Sequence, residues 1–211
     1  MPPIVSIIGK SKSGKTTLIE KLIGELKSRG YRVATIKHTH HKLSFDEPGK
    51  DSWRHIQAGS EATVISTDEN TVLIKPASEG LEPLAHLIGE DYDIILTEGF
   101  KTGDAPKIET HRKQAGPPLA SVSQLIAIAS DEPLKTKVRQ FSLDDIKGIS
   151  DLLEKEFIEP QQERVSLYVN NKPVALTSFL KQILSNVLLA IASSLKGVKK
   201  IKSLEIFLRK P

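Results

Sequence analysis

The chain has 211 residues, 38% of them hydrophobic, enough for one well-buried α/β domain with an appendage or for two small domains. It contains no cysteine, which excludes disulfides and thiolate metal sites, so any zinc or nickel site must be built from His and carboxylates. The formal charge of +4, from 30 Lys+Arg against 26 Asp+Glu, is too modest to mark a dedicated polyanion binder.

Met1-Pro2-Pro3 leads straight into an apolar run, with no charged leader or signal segment, so a cytoplasmic location is expected. The longest apolar stretch, Val187 to Leu195, is broken by Ser193 and Ser194 and falls far short of the roughly 20 residues of a membrane span. No membrane partner is expected.

Ile4-Val5-Ser6-Ile7-Ile8 reads as a buried strand, and Leu18, Leu22 and Leu26 recur at helical spacing. Between them Gly9-Lys10-Ser11-Lys12-Ser13-Gly14-Lys15-Thr16 fits the phosphate-loop pattern G-x-x-x-x-G-K-S/T. In that context the loop and first-turn N–H groups, including those of Lys12 and Ser13, converge on phosphate. Gly9 and Gly14 permit the close turn, Lys15 reaches the β- and γ-phosphates, and the Thr16 hydroxyl ligates Mg²⁺. Thr17 packs or caps beside them.

Gly30 is a good stop for this first helix. Tyr31 to Lys37 then alternates as a strand that must run parallel to the first, which places the phosphate chemistry at the strands' carboxyl ends. There lies Lys37-His38-Thr39-His40-His41, whose imidazoles are candidates for a metal or for phosphate oxygens. Asp46 and Asp51 follow as candidates to hold Mg²⁺ through water or to position the attacking nucleophile. Asp51 also has the look of a helix N-cap.

Two β-rich runs, Ala62 to Ser66 and Thr71 to Ile74, flank the turn-forming Thr67-Asp68-Glu69-Asn70 and read as a hairpin on the antiparallel edge of a mostly parallel sheet. A helix is expected from Gly80 to Glu90. The buried strand Ile94-Ile95-Leu96-Thr97 ends at Glu98, the candidate for the acidic residue that binds Mg²⁺ through water or orients the attacking water. Asp is commoner there.

Lys107-Ile108-Glu109-Thr110 is another short strand and Leu125 to Ala129 a clear buried one. Asp131, just past it, is placed to accept from the N1–H and N2–H₂ edge of guanine, although the familiar N-K-x-D is missing. Asp144 to Phe157 is an amphipathic helix closing a nucleotide-binding domain over residues 1–158. After a linker, residues 163–211 read as a small ββαβ extension: a hairpin, a helix capped by Thr177 or Ser178 and running to Leu195, and a strand over Leu204 to Leu208. Lys196, Lys199, Lys200, Lys202, Arg209 and Lys210 crowd its end, but with so few aromatics among them a nucleic-acid partner is not expected.

The expected fold is therefore α/β: a P-loop NTPase with a mostly parallel sheet flanked by helices, plus the small extension. Five stretches in order, Gly9 to Leu18, Ile36 to His41, Asp46 to Arg54, Thr97 to Lys101 and Pro106 to Glu109, closely resemble the family of molybdopterin-guanine dinucleotide biosynthesis protein B (MobB). The resemblance spans residues 1 to about 158. It implies a GTP-binding protein with weak GTPase activity that uses Mg²⁺, forms a homodimer, and assists the attachment of GMP to molybdopterin. It also implies partnership with the guanylyltransferase and the molybdenum-insertion enzyme. In that setting Lys15, Asp46, Glu98 and Arg54 are the catalytic candidates, with Arg54 and Arg112 the arginines available to a transition state. Two other readings stay open on these residues: a small-molecule kinase and a metallochaperone GTPase.

Overall fold

The computed structural model describes the chain apart from residues 40–45, 78–79, 162–164, 171, 199–200, 202–203, 205, 207 and 209–211. Compactness divides it into residues 1–160 and 161–211. In the first unit a six-stranded sheet is built from β1 (Ile4–Gly9), β2 (Val33–Lys37), β5 (Ile94–Glu98), β6 (Lys107–His111), β7 (Leu125–Ser130) and β8 (Arg139–Ser142), ordered β2-β5-β1-β6-β7-β8. Every pairing in it is parallel. The chain leaves β1 toward β2 on one side and later returns to β6 on the other. β1 therefore marks the switch point, and the crevice at its carboxyl end is where such sheets bind ligands.

Both faces of the sheet are covered, which is why its strands read as apolar runs. On one face Val5, Ile7, Leu96, Ile108 and Ala127 pack with Leu18, Leu22 and Leu26 of α1 (Lys15–Ser28) and with Ile149 and Leu153 of α4 (Ile146–Leu153). On the other, Ile36 and Ile95 meet Ala85, Leu81, Leu84 and Ile88 of α3 (Leu81–Ile88), within the span expected for a helix. α4 starts at Asp145, whose carboxylate accepts from the Gly148 N–H, and runs into a π-helical turn, Glu154–Ile158.

Three details depart from the sequence expectation. The hairpin of β3 (Thr63–Ser66) and β4 (Thr71–Ile74) forms, yet as a separate two-stranded sheet and not as an edge of the main one. Its strands are half-exposed, so no buried face demands that they dock on the main sheet. Asp51 does not cap α2 (Asp51–Gln57): it is the first helical residue, and the extended Lys50 stands at the cap. The edge strand β8 was not foreseen, because Arg139-Gln140-Phe141-Ser142 has only one apolar residue and is mostly exposed.

Lys107 is fully buried. Its ammonium donates to the backbone carbonyls of Gly103, Ala105 (3.0 Å) and Ser123 (3.1 Å), and burial pulls its pKa down. Those bonds replace water and tie the segments before β6 and β7 together.

In the second unit β9 (Leu167–Val169) pairs antiparallel with β10 (Lys172–Val174), and α5 (Ser178–Ser193) follows with Thr177 Oγ1 accepting from the Leu180 N–H. The strand expected over 204–208 includes Glu205 and Phe207, which lie outside the described residues; Leu204, Ile206 and Leu208 are not in a strand. Among the described residues no helix is long and apolar enough to cross a membrane.

A network joins α1 to α4. Arg29 donates to Glu25 (2.8 Å), Asp151 (2.7 Å) and Glu154 (2.6 Å), and the Tyr31 hydroxyl donates to Glu154. The carboxylate of Glu154 holds the Tyr31 phenol protonated, pushing its pKa up to about 12. A raised phenol pKa supplies stability that is complete below the free value of about 10 and is lost as pH rises through the folded value. Ultraviolet titration should therefore show one tyrosine ionising near pH 12, absent in Tyr31→Phe and displaced toward 10 in Glu154→Gln.

Candidate functional site

β1 ends in Gly9, whose φ of 150° and close surroundings exclude any side chain: a Cβ there would stand 2.5 Å from both Ser13 Oγ and the Thr110 carbonyl. The loop is pinned from below. Ser13 Oγ and Thr110 Oγ1 are 2.7 Å apart in the interior, and Thr110 Oγ1 also donates to the Ile8 carbonyl at 3.1 Å. Lys12 (φ 62°) and Gly14 (φ 98°) take left-handed conformations, turning the chain so that Gly14 caps α1. No acidic side chain lies in the first turn of α1 itself, so the helix's own residues leave its positive end uncompensated.

A cleft of about 500 Å³ opens over this loop. Lys12, Gly14, Lys15, Thr16 and Thr17 form its base, Glu98 one wall, and Arg112 and Gln114 the other. β5 and β6 flank β1 on opposite sides, so Glu98 and Arg112 face each other across the loop. Lys15 Nζ donates to the Lys10 carbonyl at 2.8 Å, folded back across the turn. Burial lowers its pKa, with Lys101 and Lys37 adding to the effect and Glu98 opposing it.

Thr16 Oγ1 donates to Glu98 Oε2 at 3.0 Å, and Lys37 Nζ lies 3.5 Å from the same oxygen. A hydroxyl and a carboxylate side by side are hard oxygen donors. They fit Mg²⁺, which takes one or two protein oxygens and completes its shell from phosphate and water. Among the described residues no three His, Cys, Asp or Glu gather as a metal cage. His38 packs against Phe100 with the rings tilted by 48° and 5.0 Å between centres, whereas His40 and His41 lie outside the described residues.

The structure thus assembles Gly9, Lys12, Ser13, Gly14, Lys15, Thr16, Thr17 and Glu98 around one loop. Three other candidates stand outside the residues lining the cleft. Asp46 accepts from the Glu47 N–H (2.9 Å) and from Ser52 Oγ (3.0 Å). Arg54 is exposed, 3.7 Å from Asp51. Asp131, just after β7, accepts from the Lys113 N–H at 2.9 Å. Arg112, the other arginine candidate, lines the cleft, with Nε 3.4 Å from where a Gly14 Cβ would stand. Thr110 and Gln114 were missed; they belong to β6 and its following loop, and only the pairing of β6 with β1 brings them to the phosphate loop.

These features agree with the comparisons. The family model described as molybdopterin guanine dinucleotide synthesis protein B, MobB, matches residues 4–131. The chain belongs to the MobB family. The Haemophilus influenzae molybdopterin-guanine dinucleotide biosynthesis adapter protein is 39% identical over 156 residues, covering 72% of this chain and 88% of that protein. The Escherichia coli protein of the same name is 36% identical over 161 residues, covering 72% and 92%. The crystal structure of Bacillus subtilis MobB superposes with a TM-score of 0.57 at 27% identity, covering 74% of this chain and 98% of that one.

Thr110→Val removes the partner of buried Ser13 Oγ and leaves the Ile8 carbonyl without this donor. It should destabilise the protein by about 1–3 kcal/mol in urea unfolding, a cost that Ser13→Ala in the same background does not increase.

Proposed function

We propose that the chain binds GTP with Mg²⁺ at this cleft, hydrolyses it slowly, and acts as an adaptor in the step that joins GMP to molybdopterin. The observation that carries this reading is the Thr16–Glu98 pair set at the mouth of the phosphate loop in a MobB-family chain. The loop amides and the first turn of α1 hold the phosphates, and Lys15 turns from the Lys10 carbonyl to the β- and γ-oxygens. Thr16 and Glu98 are the residues that would hold Mg²⁺, which supplies charge neutralisation between the phosphates.

Slow turnover follows from what surrounds the γ-phosphate end. Glu98 is engaged by Thr16 and Lys37, and Arg112 sits on the opposite wall. Arg54 is exposed and outside the cleft lining, which leaves Arg112, over Gly14, as the arginine that the described residues bring to the cleft. Asp131 serves as the guanine reader, at the carboxyl end of a strand on the β6 side. In the family setting the chain works as a cytoplasmic homodimer with the molybdopterin guanylyltransferase, and with the molybdenum-insertion enzyme as a further partner.

Calorimetric titration with non-hydrolysable GTP and ATP analogues in Mg²⁺ tests this. GTP-analogue binding should be selective and should weaken about 100-fold in Lys15→Ala, the cost of losing charged hydrogen bonds to phosphate. Asp131→Ala should narrow the GTP preference about tenfold. Absence of guanine-nucleotide binding, or binding indifferent to Lys15, overturns the reading; a preference for the ATP analogue points to a kinase.

A further inference from the structure

Lys37 is the last residue of β2, and its direct partner in the parallel β2–β5 register is Glu98. The pairing is locked from the backbone as well, since the His38 N–H donates to the Glu98 carbonyl at 3.1 Å. The ammonium thus stands 3.5 Å from Glu98 Oε2, the oxygen that also accepts from Thr16. Two sheet positions fixed by register bring a cation to the one carboxylate among the described residues of the cleft lining.

We propose that Lys37 is a positioning residue that acts as resident counter-ion of Glu98 in the nucleotide-free protein and competes with Mg²⁺ for that carboxylate. The inference rests on the nucleotide reading above. A divalent ion reaching Glu98 and Thr16 meets an ammonium already there, and two cations cannot share one carboxylate oxygen without strong repulsion. The Lys37 side chain is 65% exposed, so it is free to swing away, whereas that of Glu98 is only 18% exposed and stays. On displacement the ammonium remains at the β5 side of the loop, beside the γ-phosphate end. Lys37 thereby supports nucleotide in the absence of metal and makes metal entry less favourable.

An ordinary exposed ion pair would give no such linkage, so the test must separate pairing from general field. The full chain is titrated with a fluorescent non-hydrolysable GTP analogue at varied Mg²⁺, as wild type, Lys37→Met, Lys101→Met, Glu98→Gln and the Lys37→Met/Glu98→Gln double variant. Lys101 is the field control: it also acts on Lys15 but has no ion pair with Glu98 among those described. Lys37→Met should raise the Mg²⁺ affinity of the nucleotide-loaded protein about fivefold and weaken metal-free nucleotide binding. Lys101→Met should change the Mg²⁺ affinity by less than about twofold, as should Lys37→Met in the Glu98→Gln background. Equal effects of the two lysines, an effect of Lys37→Met that survives Glu98→Gln, or no effect at all would each overturn the proposal while leaving nucleotide binding standing. A wild-type protein that binds no nucleotide would overturn both this and the proposed function.

Discussion

The site depends on the contact of one backbone with another at Gly9. β1 reaches its end so close to Thr110 of β6 that no side chain is tolerated, and the hydroxyls of Ser13 and Thr110 close the gap from beneath. From there the chain has only two left-handed residues, Lys12 and Gly14, in which to reverse and enter α1. The tightness of this turn aims the first N–H groups of the helix outward together. A looser turn would scatter them and lose the field that a phosphate needs.

That field is reinforced by placement of charge. Lys12, Lys15 and Arg112 line the cleft, and Lys37 and Lys101 act on Lys15 from the β2 and β5 ends, while Glu98 is the only carboxylate among the described residues of the lining. The cations are held by weak or local partners: Lys15 by a carbonyl of its own loop, Lys37 by Glu98. An anionic ligand therefore meets donors already gathered, and the gain comes from relieving their mutual repulsion as well as from new hydrogen bonds.

Away from the cleft, polar groups hold the frame in different ways. Arg29 and Tyr31 converge on Glu154 at the junction of α4 and its π-helical turn, tying α1 to the far end of the domain. Lys107 is the opposite case, a buried ammonium satisfied by carbonyls alone. Its charge is compatible with the interior because the bends before β6 and β7 present their oxygens to it. Both arrangements stabilise the strand ends whose far side carries the phosphate loop.

Much of this was legible in the residues because local rules and global fold agree there. The strand, the loop pattern and the helix spacing of Ile4 to Leu26 specify one another within a short stretch, and the apolar run ending at Glu98 places an acid at a strand end without further information. By itself the sequence determined the loop pattern, the parallel character of the first strands and the identity of Lys15, Thr16 and Glu98 as residues gathered at that loop. Lateral order was beyond it, since β5 inserts between β1 and β2 and only that insertion pairs Lys37 with Glu98. Tertiary structure also decided that Arg112 overlooks Gly14 in the same chain, that Asp46 and Arg54 stand outside the cleft lining, and that the β3–β4 hairpin keeps to itself. The physical reason is common to all of these: they turn on contacts between residues distant in the chain, which periodicity and spacing do not encode.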